Sequence, residues 1–337
     1  MTDACCCEYS LFPDCIPIRG YGRSVVYDLL RCDYVFIPNV LCDILLKYNG
    51  FPYGYLKGIY AEDLSVLNEY MDLLIERELV FYSKCENLFV PITITRETAS
   101  LINDIVIDNS FCFKHDYEKL SSEVDSLGCH SMVLRFYDFY ALDYIKSVLS
   151  FFRETVLRDI VVLIQYSKEY SLEELKKLVD SENRISKLIV VSSVRNRSYK
   201  YKETLITFVS YEFDEDACCG KVDMNRFSVN MNMFLDSKLY NNCLYKKISV
   251  DKFGMIKNCP SSVLSYGHYK DRALIDAVSD IDFKKMWYIK KDDVQECMYC
   301  EFRYMCQDCR IFLKDANNLY SKPLKCNYNI YKCRWKK

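Results

Sequence analysis

Histidine is almost missing from this chain: 337 residues contain three, His115, His130 and His268. None stands at metal-ligand or nucleophile-like spacing, so each reads as a surface or satisfied residue and not as a catalytic one. Glycine is scarce as well, with nine residues. They form neither a P-loop nor a Rossmann fingerprint, so the chain brings no phosphate cradle of its own. No apolar run approaches the 18 or so residues of a membrane span. Met1 to Ser10 hold Asp3 and Glu8 with no basic stretch, so no export signal is expected there. The formal net charge is −2, so there is no basic field for nucleic acid. The expectation is a soluble, cytoplasmic protein.

What the chain does have is cysteine, aromatics and apolar residues. Hydrophobic residues make up 50% and aromatics 15%, enough to core two or three domains. Nineteen cysteines without an export signal point to a reducing compartment, where thiols serve metal or redox chemistry more than disulfides. Cys32, Cys42, Cys85 and Cys129 read as small buried hydrophobes. Cys5, Cys6 and Cys7 read as an oxidisable terminal tail. The sharpest pattern is Cys297-Met-Tyr-Cys300, five residues, then Cys306-Gln-Asp-Cys309, with Cys326 following. Four thiols within thirteen residues can reach one centre, and thiolate is the ligand that iron–sulfur clusters and structural zinc prefer. Upstream, Cys243 and Cys259 flank Ile248 to Ile256, which reads as a hairpin turning at Asp251–Gly254 and returning both cysteines to one end.

Periodicity divides the chain into three parts, at 15–92, 93–215 and 216–337. In the first, Arg23–Leu30 and Asp33–Pro38 read as a β-hairpin. Val40–Tyr48 reads as a helix stopped by Asn49-Gly50. Asp63 then caps a second helix whose Leu64, Leu67, Met71, Leu74 and Ile75 share a face, and Leu79–Tyr82 is a strand. The sum is a winged-helix-like module. Six acidic residues against one basic between Glu62 and Glu78 argue against DNA as its partner. The second part alternates apolar strands (104–108, 131–136, 160–164, 188–191, 205–209) with amphipathic helices (117–127, 141–154, 172–179). That rhythm predicts an α/β fold with a buried parallel sheet, an open or partial barrel whose chemistry lies at the strands' C-terminal ends.

Seven of these cysteines, ordered as C-x10-G-x4-C, C-x2-C-x5-C-x2-C and C, resemble the SPASM domain of radical S-adenosylmethionine peptide maturases. Cys300–Arg310, Lys322–Asn329, Ile256–Pro260 and the opening Asp14–Gly20 resemble more closely the maturases of "grasp-with-spasm" systems. The resemblance implies an N-terminal winged-helix-like leader-recognition module, a degenerate partial (β/α) barrel and a C-terminal SPASM iron–sulfur domain. Leader peptides bind such modules by strand addition. It further implies a ribosomally made precursor peptide and an ATP-grasp ligase as partners, and one or two 4Fe-4S clusters. By the family's ligand scheme Cys297, Cys300, Cys306 and Cys326 hold one cluster, and Cys243, Cys259 and Cys309 three corners of the other. The fourth corner falls to Cys219 or Cys218, with Cys219 preferred because Gly220 permits close backbone approach. A cluster open at one iron, an unfilled site, or zinc at a four-cysteine site are the alternatives.

The chain also departs from that family. The last spacing of the cysteine run is two residues where the family has three. No C-x3-C-x2-C occurs anywhere, and after 104–108 there is only Phe111-Cys112-Phe113. Phe136-Tyr-Asp-Phe-Tyr140 stands where a glycine-rich cofactor turn belongs. Ordinary cleavage of S-adenosylmethionine is therefore not expected unless an auxiliary cluster has an open iron. His115 lies where the cluster loop would be and is the histidine to follow. Catalysis and a non-catalytic, leader-binding adaptor role both remain open.

Overall fold

The computed structural model describes residues 8–83, 89–212 and 219–336. Cys5–Cys7, Cys85 and Cys218 lie outside them. At the N-terminus, β2 (Cys15–Ile18), β3 (Ser24–Asp28) and β4 (Asp33–Ile37) form an antiparallel sheet with β3 central. The hairpin of β3 and β4 forms because Asp28 accepts from the Arg31 backbone N–H at 2.8 Å and Cys32 takes a left-handed turn position. Cys32 is therefore exposed rather than a buried hydrophobe, while Cys42 and Cys129 are buried as expected. Three helices follow: α1 (Asn39–Tyr48), α2 (Tyr53–Ile59) and α3 (Leu64–Glu76). Gly50, at φ +85°, sits just past the end of α1. α3 buries Leu67, Met71 and Leu74, but Ile75 is exposed and the Asp63 side chain makes no capping hydrogen bond. β1 (Glu8–Leu11) pairs with β5 (Val80–Ser83) and closes the unit over its own core.

The middle of the chain forms β6 (Asp104–Asn109), α4 (Tyr117–Ser126), β7 (Ser131–Phe136), α5 (Leu142–Ser150), β8 (Asp159–Gln165), α6 (Leu172–Ser181), β9 (Ile185–Val191), β10 (Arg197–Tyr201) and β11 (Thr204–Phe208). β6 to β9 and β11 are parallel, as apolar strands between amphipathic helices require. Ser171 and Glu174 make a reciprocal capping box at the start of α6. α5 stops four residues before the expected end, where Phe151 and Phe152 turn back on Val148 and Leu149.

After α7 (Met231–Leu239) come β12 (Lys247–Val250) and β13 (Ile256–Lys257), antiparallel to each other around a turn in which the Gly254 N–H donates to the Asp251 carbonyl at 2.9 Å. β12 also pairs in parallel with β6. The mixed sheet thus runs β10-β11-β9-β8-β7-β6-β12-β13, and residues from both sides of position 215 share it. A third apolar cluster, with Val25, Tyr27, Phe234, Phe302, Tyr304 and Met305, joins the N-terminal sheet to the cysteine-rich segment.

Gly254 has φ +82°, and a Cβ there would lie 2.4 Å from His268 Nε2. Gly254→Ala is expected to destabilise the fold by about 1–3 kcal/mol through backbone strain and the displaced ring. A urea midpoint equal to wild type would contradict this.

Candidate metal centres

The described cysteines named from the sequence gather into two sets. Around Cys243 lie Cys309 and Cys219, with Asp308 and the Lys247 cation. The Cys259 thiol donates to Cys219. Burial and its thiol neighbours hold Cys243 up to about 11. Cys219 is pulled down to about 5, first by the hydrogen bond from Cys259 and, against the cost of burial, by the Lys247 and Arg135 cations. Cys259, which keeps the shared proton, is pushed well up. Gly220, at φ +71°, presses its backbone against Cys309, whose Sγ would be 3.1 Å from a Cβ at that position. The β12–β13 hairpin supplies Cys243 and Cys259 from its two flanks, as the sequence suggests.

The second set is Cys297, Cys300, Cys306 and Cys326, each within electrostatic reach of others in the set. Cys297 to Tyr299 form one 3-10 turn, entered through Glu296 at φ +61°, and the Cys300 N–H closes it on the Cys297 carbonyl at 2.9 Å. Burial pushes Cys297 up to about 12 and Cys300 and Cys306 upward too. Against those thiols lies Lys291, only 3% exposed, with Nζ donating to Cys306 Sγ at 3.3 Å. A buried ammonium costs several kcal/mol unless an anion faces it. The donor set supplies that anion only when its thiols are ionised, which is the state in which cysteine ligates metal.

Spacing tests the kind of group. Tetrahedral zinc with bonds of about 2.3 Å needs sulfurs about 3.8 Å apart. Among the described residues, the only three Cys, His, Asp or Glu ligand atoms that meet within 4.8 Å are those of Asp14, Cys15 and Asp28, and Asp28 is already bound by Arg31 at 3.0 Å. Neither cysteine set closes that tightly.

Between the sets runs Gln307-Asp308. Asp308 is buried, accepts from Arg310 at 2.7 Å and Asn241 at 2.8 Å, and stands 3.7 Å from Lys291 Nζ. These residues escape sequence reading: Lys291 sits in Lys290-Lys291-Asp292-Asp293, which resembles a solvated charge run.

The C-terminal edge of the sheet looks different. Asp108 at the end of β6 and Arg135 on β7 form a buried bidentate pair at 2.5 and 2.6 Å. The loop after β6 folds back through a bridge between Ser110 and Phe113. His115 is buried with Nε2 2.7 Å from the Asp108 carbonyl oxygen, and burial lowers its pKa. Its ring, Phe113, His268 and Tyr269 pack edge and face at 5.2–5.6 Å between centroids. Tyr140 stacks on Tyr144 and Phe139 lies against Tyr170. His115 is thus a packed, neutral residue, and aromatic rings occupy the place of the expected cofactor loop and turn.

No known family profile matches the chain, and no curated protein matches it. Among solved structures, SuiB of Streptococcus suis bound to S-adenosylmethionine aligns at 11% identity and TM-score 0.34, covering 94% of this chain and 99% of that one. SuiB alone gives 11% and 0.32, covering 94% and 98%. SuiB bound to the precursor peptide SuiA gives 11% and 0.27, covering 90% and 96%. These scores are below those of a shared fold, so nothing about this chain's activity follows from them.

In metal-free protein at neutral pH, Cys219 is expected to react with iodoacetamide well before Cys243 and Cys259, because it alone of the three is held as thiolate. Peptide mapping of a time course checks the order, and equal rates would contradict the shared-proton arrangement.

Proposed function

We propose that this chain is a SPASM-type iron–sulfur maturation factor that binds a ribosomally made precursor peptide and works beside an ATP-grasp ligase. What supports the reading is the electrostatic contact of Cys243 with Cys219 and Cys309, of Cys259 with Cys219, and of Cys297 and Cys306 with Cys326. When bound there, 4Fe-4S clusters supply one-electron transfer or hold the scaffold together. The chain's own residues exclude water from them: Phe302, Tyr304 and Met305 pack behind the second set. Lys247 and Lys291 provide counter-charge.

The peptide's place in this reading is the N-terminal unit. β2, at the edge of the N-terminal sheet, has no partner strand on its outer side among the described residues, which suits strand addition. A groove of ≈ 890 Å³ opens beside β1, β2 and α1, with Leu46, Phe89 and Ile94 exposed along it and Glu8 and Lys238 in its walls. An apolar wall with one charge of each sign fits an extended, amphipathic leader. No helix among the described residues is long and apolar enough to cross a membrane. The filled C-terminal edge of the sheet favours the second reading, a leader-binding adaptor that keeps its metal centres without cleaving S-adenosylmethionine.

Anaerobically reconstituted protein is expected to hold about eight irons with matching sulfide. Cys306→Ser and Cys243→Ser are each expected to lose about half. Iron, sulfide and zinc analysis with electron paramagnetic resonance checks this, and zinc alone would overturn the iron–sulfur reading. A spectrum shifted by S-adenosylmethionine would favour the enzyme over the adaptor. Separately, Leu46→Glu is expected to weaken precursor-peptide binding at least tenfold in fluorescence anisotropy with metal content unchanged. Equal affinity would remove the groove from the reading.

A further inference from the structure

We propose that Lys291 sets the reduction potential of the group held by Cys297, Cys300, Cys306 and Cys326, raising it through a direct N–H···S hydrogen bond and an uncancelled buried charge. The inference rests on the iron–sulfur reading above. Lys291 Nζ lies 3.3 Å from Cys306 Sγ, and the side chain is 4% exposed. The carboxylate nearest to it, Asp308, is shared with Arg310, whose side chain is fully buried and binds it at 2.7 Å. Asn241 takes the other oxygen of Asp308. Two buried cations therefore face one carboxylate, and the surplus positive charge points at the sulfurs.

The other charges around this set are already engaged. Lys322 is held by Glu296 at 3.0 Å and by the Tyr328 carbonyl at 2.7 Å. Glu301, next to Cys300, is bound by Arg23 at 2.9 Å and by the Tyr328 hydroxyl at 2.5 Å. Lys322 also lies within electrostatic reach of Cys326 and Cys297, and Lys291 differs from it by donating directly to a sulfur. On reduction, one electron enters from a low-potential one-electron donor, no bond forms or breaks, and the ammonium keeps its protons. The added negative charge is met by a fixed cation at hydrogen-bond distance, so the reduced state gains more than the oxidised one. Lys291 touches no substrate and is a positioning residue. The first set has the Lys247 cation near Cys243, Cys219 and Cys259, so it provides an internal reference.

The test is an anaerobic redox titration, followed by electron paramagnetic resonance, of the full reconstituted chain as wild type, Lys291→Met and Lys291→Arg. The expected result is full iron and sulfide in all three, a more negative midpoint for one centre in Lys291→Met, most of the shift recovered in Lys291→Arg, and a clearly smaller shift at the other centre. Full iron with an unchanged midpoint would overturn the role of Lys291 and leave the metal reading standing. Wild-type protein without iron and sulfide would instead remove the reading on which it rests. Should Lys291→Met fail to load, pulsed electron paramagnetic resonance of wild-type protein labelled with 15N-lysine decides: a 15N coupling supports the hydrogen bond, and its absence overturns the proposal.

Discussion

The pairing of β12 with β6 is the contact on which the rest of the molecule hangs. Lys247 to Val250 lie in parallel register with Asp104 to Ile107, so the cysteine-rich third starts as a strand of the central sheet rather than as an appended lobe. That register places Cys243 just before a core strand and Cys259 just after its hairpin partner. Ile248 and Val250 are buried in the same apolar cluster as Ile105 and Ile107. Whatever the first cysteine set binds is thereby tied to the folding of the α/β unit.

The second set is anchored from the other direction. Glu301 is fully buried, and its carboxylate takes Arg23 and Tyr328 while its backbone carbonyl takes the Tyr27 hydroxyl at 2.7 Å. Arg303 reaches the Arg19 carbonyl at 2.7 Å, and the Tyr21 N–H donates to the Tyr299 carbonyl at 2.8 Å. The Arg23 guanidinium also lies 3.6 Å over the Phe36 ring. The N-terminal sheet is therefore built against the loop that carries Cys297 and Cys300. Disturbance at either would be felt at the other.

Much of the framework was legible in the residues, and the limits have physical causes. Strands 104–109, 131–136 and 159–165 are apolar runs between capped or glycine-stopped helices, and buried parallel strands leave that trace. β10, Arg-Ser-Tyr-Lys-Tyr, is almost wholly exposed at the sheet edge and carries no apolar pattern to read. β1, β2 and α2 are too short for periodicity to act on. The partner of β12 lies about 140 positions earlier, beyond any local signal. The division into two sets follows from the family resemblance, because spacing alone puts Cys297, Cys300, Cys306 and Cys309 on one centre and a hairpin's flanks link only Cys243 with Cys259. The charges beside them left no such trace: Lys291 becomes a buried cation only when the chain around it closes.

Gln307 and Asp308 are all that separates Cys306 of one set from Cys309 of the other. Three Cα steps span at most about 11 Å. At that range two unit charges in a protein interior still repel by on the order of 1 kcal/mol. Charge added to one set therefore makes the same addition to its neighbour several-fold less favourable. Under the iron–sulfur reading proposed above, this short spacing would make the two sets fill with electrons one after the other instead of together.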